Sequence, residues 1–428
     1  MQMKPPRALL ALALPAALAG VALGAPAARA QAVGDAMQTA IARADSAVAK
    51  AVADNMTGGA VLLVARDGKV IHRKAFGWAQ RYDYALRPLP DPVAMHDTTA
   101  FDMASVTKPL ATTLAVMRLV DQGKVKLDAP LYTYLPRFRG PHLDSITPRL
   151  LLQHAAGLNE WQPIYYHASN ARDAYHVIRD LPLKYGVGQG RHYSDLGFML
   201  LGYMTTYITG VPIDQYVRAE FYRPLGLRRT MFLPKSNGLR DIAATDQGNP
   251  YERHMVYDSA FGDYYAGDPR AWDDWRRYTL VGEVDDGNAW YANEGVAGHA
   301  GLFSTADDLN VLLQLLLNRG VYGGKRYLKA ATVDTFLTRD RFDNALGWPV
   351  PKELPVGSFA HTGFTGTYVL GVPRAGLAVV LLANRENVGT DARGYYPDLQ
   401  PLRGFVGRVL TEAALSRATP SPAGSGAP

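Results

Sequence analysis

Ser105 and Lys108 stand three residues apart in Ser105-Val-Thr-Lys108. On a helix that spacing puts both side chains on one face. A serine hydroxyl is a weak nucleophile until a base takes its proton, and a neutral lysine amine one turn away could do so. At the ordinary lysine pKa of about 10.4, only about one lysine in a few thousand is neutral at pH 7. The pair therefore predicts a site that depresses the Lys108 pKa by burial or positive potential. A helix start supplies such potential, and its free amides can hold an oxyanion. Of the twelve serines, Ser105 alone has lysine at i+3.

Two further segments carry matching chemistry. In Tyr193-Ser-Asp195 the phenol can relay a proton to a leaving group, and Asp195 can orient Lys108 by charge. Tyr291-Ala-Asn293 and Tyr396-Pro-Asp398 have the same pattern, but Tyr193 is followed at once by an apolar helical stretch that fixes it on a rigid element. His361-Thr362-Gly363 follows a strand-like run. A strand edge offers unpaired backbone groups to a peptide-like substrate, and glycine allows close approach. His154 and His299 read better as structural histidines than as catalytic ones. By itself His361 reads as a surface histidine, titrating near pH 6.5.

The positioning elements are legible around these segments. Residues 60–78 predict a hairpin turning at Asp67-Gly68. Residues 105–122 predict a helix, which Pro109 obliges to begin very near Ser105. Tyr193 to Thr209 predict a second helix, residues 368–372 and 377–383 two strands, and residues 400–416 a closing helix. Strands come early and late, so the expected fold is α/β. An antiparallel sheet from both chain ends (31–135 and 300–416) is flanked by helices and joined to a mainly helical insert (136–299), with the site at the junction. Within the insert, residues 240–295 are rich in Tyr and Trp. They read as a surface excursion with its own small core, or as a lid shaping a cleft.

Composition bounds the setting. Lys4 and Arg7, an apolar run from Ala8 to about Leu23, and Ala28-Arg-Ala30 predict a secretory signal peptide over 1–30. Export to the periplasm or the medium follows, with no stable membrane span after cleavage. Removing Lys4, Arg7 and Arg29 leaves 42 basic against 39 acidic residues, a net +3, which does not point to nucleic acid. With no cysteine there is no disulfide framework and no lipid-bearing cysteine. Residues 417–428 lack core-forming side chains and predict a disordered tail.

Taken in order, these segments resemble the serine β-lactamase-like hydrolases. That family includes class C β-lactamases, low-molecular-mass penicillin-binding proteins, D-peptidases and β-lactamase-like esterases. Phe101-Asp-Met-Ala-Ser-Val-Thr-Lys-Pro109, residues 146–158, Tyr193-Ser-Asp-Leu-Gly-Phe198 and residues 295–305 carry the resemblance, which spans roughly 40 to 415. Residues 282–289 and 298–301 are similar to a subgroup that includes penicillin-binding protein type 4B.

The resemblance implies a β-lactamase/transpeptidase-like fold with Ser105 as the acylated nucleophile. Lys108 and Tyr193 would share acid/base duty, and the backbone amides of Ser105 and Phe364 would form the oxyanion hole. Asp195, His361, Thr362 and Gly363 would meet substrate, without metal or cofactor. The expected substrate is a small molecule or peptidoglycan fragment, cleaved as a D,D-carboxypeptidase cleaves. Asp at 195 and His at 361 depart from the Asn and Lys of many members. The His, and the lack of a clear glutamate to serve deacylation, argue for slow β-lactam turnover. An esterase, a weak β-lactamase and a non-catalytic penicillin-recognising scaffold are the competing readings.

Overall fold

The run Ala60-Val-Leu-Leu-Val-Ala65 has apolar residues on both faces of an extended strand, which suits a strand covered on both sides. In the computed structural model, which describes residues 24–261 and 267–416, that is where it lies. Strand β1 (Gly59–Arg66) is flanked by β2 (Lys69–Tyr82) and by the late strand β6 (Leu377–Ala383). With β3 (Pro88–Ala94), β4 (Phe359–Thr362) and β5 (Tyr368–Val372), the sheet order is β4-β5-β6-β1-β2-β3, and every neighbouring pair is antiparallel. Register runs from Ala60 opposite Ala383 to Arg66 opposite Leu377. The β1–β2 turn uses Asp67 at φ 49° and Gly68 at φ 78°, the two left-handed positions that a tight hairpin demands.

Alternation sorts the strands between two cores. Leu62, Val64, Leu370, Val379 and Leu381 face an outer layer made of helices α1 (Gly24–Ala53) and α6 (Gln400–Leu415). Val61, Leu63, Val380 and Leu382 face the inner layer, which contains α5 (Ala306–Leu317). Each fully buried aliphatic side chain contributes about 1.5–3 kcal/mol relative to leaving it exposed. The strands of this sheet stop at Ala94 and resume at Phe359, and the interval carries helices, long loops and three two-residue strand pairs.

Three sequence expectations change in detail. The segment from Ser105 is not a regular α-helix. A 3₁₀ turn (Ala104–Val106) leads into a π-helical stretch (Lys108–Thr113), and only α2 (Leu114–Asp121) is α-helical. Pro109 has no amide to return to the Ser105 carbonyl, so the regular i to i−4 ladder cannot start there. Tyr193 is not on the following helix either. Ser194 accepts from the Gly197 amide as N-cap, so α3 spans Asp195–Thr209 and Tyr193 sits on the extended segment before it. Finally, α1 starts at Gly24 and runs through the expected cleavage site. Residues 1–23 of the expected signal peptide and the tail 417–428 lie outside the described residues.

Among the described residues no single helix is long and apolar enough to cross a membrane. One bent pair, Asp195–Thr209 with Ile213–Tyr222, passes by length and composition. Leu196, Phe198, Met199, Leu200 and Leu201 of that pair lie in the protein core.

Candidate active site

The nucleophile segment enters on a short antiparallel pairing of Phe101–Asp102 with Phe303–Ser304. Asp102 Oδ1 accepts from the Ala104 amide at 2.8 Å, and Ala104 is held left-handed at φ 45°. A non-glycine residue at that φ is strained, and such strain recurs where a side chain must be presented at a sharp turn. The next residue is Ser105. Its Oγ receives a hydrogen bond from Lys108 Nζ at 2.8 Å.

Lys108 is fully buried. Its ammonium lies 2.7 Å from Asp195 Oδ1, donates to the His299 carbonyl at 3.2 Å and sits 4.8 Å from the centre of the Tyr193 ring. Burial pulls the lysine pKa down, but Asp195, then Tyr193, outweigh it, and the net direction is upward. The expected depression is therefore corrected: the partner that orients Lys108 also keeps it charged. Burial raises the Tyr193 pKa, with Lys108 opposing, and the phenol hydrogen-bonds to both Lys108 and Ser105. At neutral pH the resting site holds an ammonium, a neutral phenol and a serine hydroxyl in one connected set.

His154 and His299 build the walls. His154 stacks on Tyr193 at 4.4 Å between ring centres, and its Nδ1 accepts from the Ser194 amide at 3.0 Å. Burial, then Arg191 and Lys108, keep His154 neutral. His299 Nε2 pairs with Asp286 Oδ1 at 2.8 Å, so its ring braces the segment whose carbonyl holds Lys108. Asp195, Asp286 and His299 offer ligand atoms within 4.8 Å of one another. The Lys108 ammonium already answers Asp195 there.

The edge strand arrives from the far end of the chain. β4 pairs only with β5 in the sheet and ends in His361-Thr362. Thr365 Oγ1 donates to the Asp102 carbonyl at 2.8 Å, and Thr367 Oγ1 to the Met103 carbonyl at 3.1 Å. These bonds pin the turn 363–367 against residues 102–103, and so bring the backbone at Phe364 to the nucleophile side. Gly363 is required by contact. A Cβ there would lie 2.1 Å from Thr367 Oγ1 and 2.5 Å from the Met103 carbonyl oxygen.

His361 differs from the surface histidine expected of the isolated residue. It is buried, its Nδ1 pairs with the Thr362 carbonyl at 2.8 Å, and Nε2 has no partner among the described residues. Burial, then Lys108, push its pKa down to about 3, so it does not titrate near 6.5. Positive charge near it comes instead from half-buried Arg191, whose charge acts on both His154 and His361. Sequence reasoning missed Arg191; its place two residues before Tyr193 was the available signal.

The aromatic stretch 240–295 divides in two. Tyr165 gathers Trp272, Trp275 and Tyr291 around it at the margin of the main core. Helix α4 (Pro250–Tyr257) instead lays Tyr251 against Phe364, ring centres 5.0 Å apart, and stacks it on Tyr396. A separate cavity of 870 Å³, lined by Tyr175, Tyr203, Ile213 and Leu233 among others, lies farther along α3 and contains none of the candidate site residues.

The antiparallel sheet covered by helices, with a serine–lysine–tyrosine set at its edge, defines a hydrolase of β-lactamase/transpeptidase-like fold. The Beta-lactamase family model matches residues 44–400, so the chain belongs to that family. It is 34% identical over 360 residues to an N-acetylmuramyl-L-alanine amidase of Bacillus subtilis (strain 168), covering 77% of each chain. It is 34% identical over 355 residues to a protein of Escherichia coli (strain K12) named as a D-alanyl-D-alanine carboxypeptidase, covering 76% of this chain and 78% of the other. The solved structure of EstCE1, a hydrolase with promiscuous acyltransferase activity, superposes with a TM-score of 0.63 at 22% identity, over 89% of this chain and all of that one. At that identity the likeness shows the fold.

Proposed function

We propose that the protein is an exported serine hydrolase that forms an acyl-enzyme on Ser105 and cleaves amide bonds in D-amino-acid peptides or peptidoglycan fragments. The observation that carries this reading is the Ser105 Oγ–Lys108 Nζ contact of 2.8 Å beside an open sheet edge. The names of the two relatives, an amidase and a carboxypeptidase, support the substrate class. The basic and apolar N-terminal sequence supports export.

The charge state of Lys108 sets the division of labour. Tyr193 Oη takes the Ser105 proton as its own proton passes to the leaving nitrogen, so the phenol ends as it began. Ser105 Oγ bonds to the carbonyl carbon, and the carbon–nitrogen bond breaks. Lys108, held cationic by Asp195, stabilises the phenolate character that develops on Tyr193 and the alkoxide character on Ser105. The amides of Ser105 and Phe364 receive the oxyanion, and Thr362 and Gly363 offer the edge backbone to the substrate. Neutral His361 supplies an acceptor at Nε2. Arg191 supplies the charge for a terminal carboxylate. Water then reverses the sequence on the ester.

An esterase is the second reading, favoured by the apolar wall of Tyr251, Phe364 and Tyr396. Intact-protein mass over time separates the two, with wild type and Ser105→Ala each mixed with a D-Ala-D-Ala peptide, a penicillin or an activated ester. A Ser105-dependent penicilloyl adduct with release of D-Ala supports the peptidase. An ester adduct without D-Ala release supports the esterase. Turnover that survives Ser105→Ala overturns both.

A further inference from the structure

Two arginines hold the turn that follows the edge strand, and both direct their donors at backbone carbonyls. Arg403, in the first turn of α6, is buried, and its Nη2 donates to the Gly363 carbonyl at 2.8 Å. Arg385 donates from Nε to the Phe364 carbonyl at 2.6 Å and from Nη1 to the Pro397 carbonyl at 3.0 Å. Its backbone amide donates to the Thr365 carbonyl at 3.1 Å. Three successive carbonyls, those of residues 363 to 365, thus each meet an arginine. The turn adds its own bonds, from the Gly363 amide to the Thr367 carbonyl at 2.7 Å and from the Gly366 amide to the Gly363 carbonyl at 3.2 Å. Among the described residues neither arginine makes an ion pair.

A trans peptide points its C=O and the following N–H in opposite directions, and the 363–364 peptide is trans. Fixing the Gly363 carbonyl on Arg403 therefore fixes the Phe364 amide so that it points away from Arg403. That amide donates to nothing among the described residues. The bonds from Thr365 and Thr367 to residues 102–103 hold the same turn against the nucleophile segment. A preset donor without a partner, beside the nucleophile, suits a charge that develops only during reaction.

Arg403 is an expensive way to hold one carbonyl. A buried cation without a carboxylate is destabilising, and the first turn of a helix disfavours positive charge. Its Nε has no partner among the described residues. Burial, then Arg385, push its pKa down to about 10, so it remains cationic at neutral pH. A cationic donor on a carbonyl also polarises that peptide and strengthens its N–H as a donor. We propose that Arg403 is a positioning residue of the oxyanion hole: through the Gly363 carbonyl it aims and polarises the Phe364 amide. It touches no substrate atom. The proposal rests on the serine hydrolase reading, in which that amide receives the oxyanion. The step served is acylation. As Ser105 Oγ bonds to the carbonyl carbon, the C=O electron pair moves to oxygen, and the Phe364 amide meets that charge until the leaving group departs.

The test compares the full chain with Arg403→Met and Arg403→Lys. Acylation of Ser105 by an activated ester and by a penicillin is followed by intact-protein mass. Affinity for an arylboronic acid is measured beside it, because the tetrahedral adduct on Ser105 places an oxygen in the hole. Removing one oxyanion donor typically costs about 10²–10³ in rate, and misaiming one costs less. Arg403→Met therefore lowers the maximal acylation rate about 10–100-fold and weakens the boronic acid by a similar factor. The half-saturating substrate concentration changes less than about threefold, as befits an interaction made in the transition state. Arg403→Lys, which keeps a charged donor near the carbonyl, recovers part of both losses. If Arg403→Met fails to fold, Arg403→Gln replaces it, because its amide ends where the arginine Nε lies and falls short of the Gly363 carbonyl. Wild-type acylation and boronate affinity in the neutral variant, with or without a lowered unfolding temperature, overturn the proposal and leave the hydrolase reading intact. A wild-type chain that forms no adduct with either probe overturns both.

Discussion

Asp285 and Asp286 are neighbours in the chain and belong to opposite electrostatic regimes. Asp286 faces the catalytic side, where burial works to raise its pKa but His299, and then Lys108, bring the net direction below the ordinary carboxylate value. Asp285 faces the other way. Burial, then Glu386 and Asp246, push it well above that value. The two sides follow different rules. On the catalytic side the buried Lys108 ammonium has Asp195 opposite it, and Asp286 has the His299 ring at 2.8 Å. On the far side several carboxyls meet with no ion pair among the described residues. A paired site is preorganised and fixed in charge, whereas crowded unpaired carboxyls are pushed toward holding protons.

The largest effect that can test this contrast is at the nucleophile. Ser105→Ala lowers turnover to background while the unfolding temperature stays within a degree or two of wild type, read by peptide hydrolysis and by calorimetry. Lys108→Ala comes next. It lowers kcat/KM by about 10³ or more and leaves the half-buried Asp195 without its cation, which destabilises the fold by less than the about 3–5 kcal/mol typical of a fully buried charge. Lys108→Ala at near wild-type activity would mean that Tyr193 needs no cationic support, and the catalytic side would lose its distinction.

Asp195→Asn sharpens the comparison at smaller scale. Removing the partner that lifts the Lys108 pKa moves the alkaline limb of the pH–rate profile to lower pH, with about tenfold loss at neutrality. Arg191→Ala raises KM about tenfold for peptides ending in a free carboxylate and leaves ester substrates unchanged. The least change belongs to His361. Its pKa of about 3 keeps it neutral throughout the working range, so kcat/KM between pH 5 and 8 carries no ionisation from this residue. Above pH 6.5 the imidazole is neutral folded and unfolded alike. As pH falls from there toward 3 the unfolded chain binds the proton first, so the contribution of His361 to stability declines in that window. A profile with a His361-dependent step near 6.5 would contradict its burial.

Local rules were readable where local physics decides. Asp67-Gly68 had to turn, the late strands had to flank residues 373–376, and Gln400–Leu415 had to close as a helix. Ser105, Lys108 and Tyr193 were legible because order and spacing carry their chemistry. The charge state of Lys108 was not, since it depends on how Asp195 balances burial after folding. Nor was the π-helical stretch, where Pro109 disrupts the ladder. The acidic cluster was invisible for a plainer reason. Asp102, Asp246, Asp285 and Glu386 have no common motif, and only the fold makes them neighbours.

The pairing of β1 with β6 joins Ala60 to Ala383, and the first helix rests against the last. The middle of the sheet therefore cannot close until nearly the whole chain exists. During vectorial synthesis the β1–β2 hairpin waits with one apolar edge unpaired, through the emergence of residues 83–376. Non-local closure of this kind slows folding and prolongs exposure to aggregation. The serine, lysine and edge strand come together only at the end, so no active hydrolase forms until the C-terminal strands have arrived.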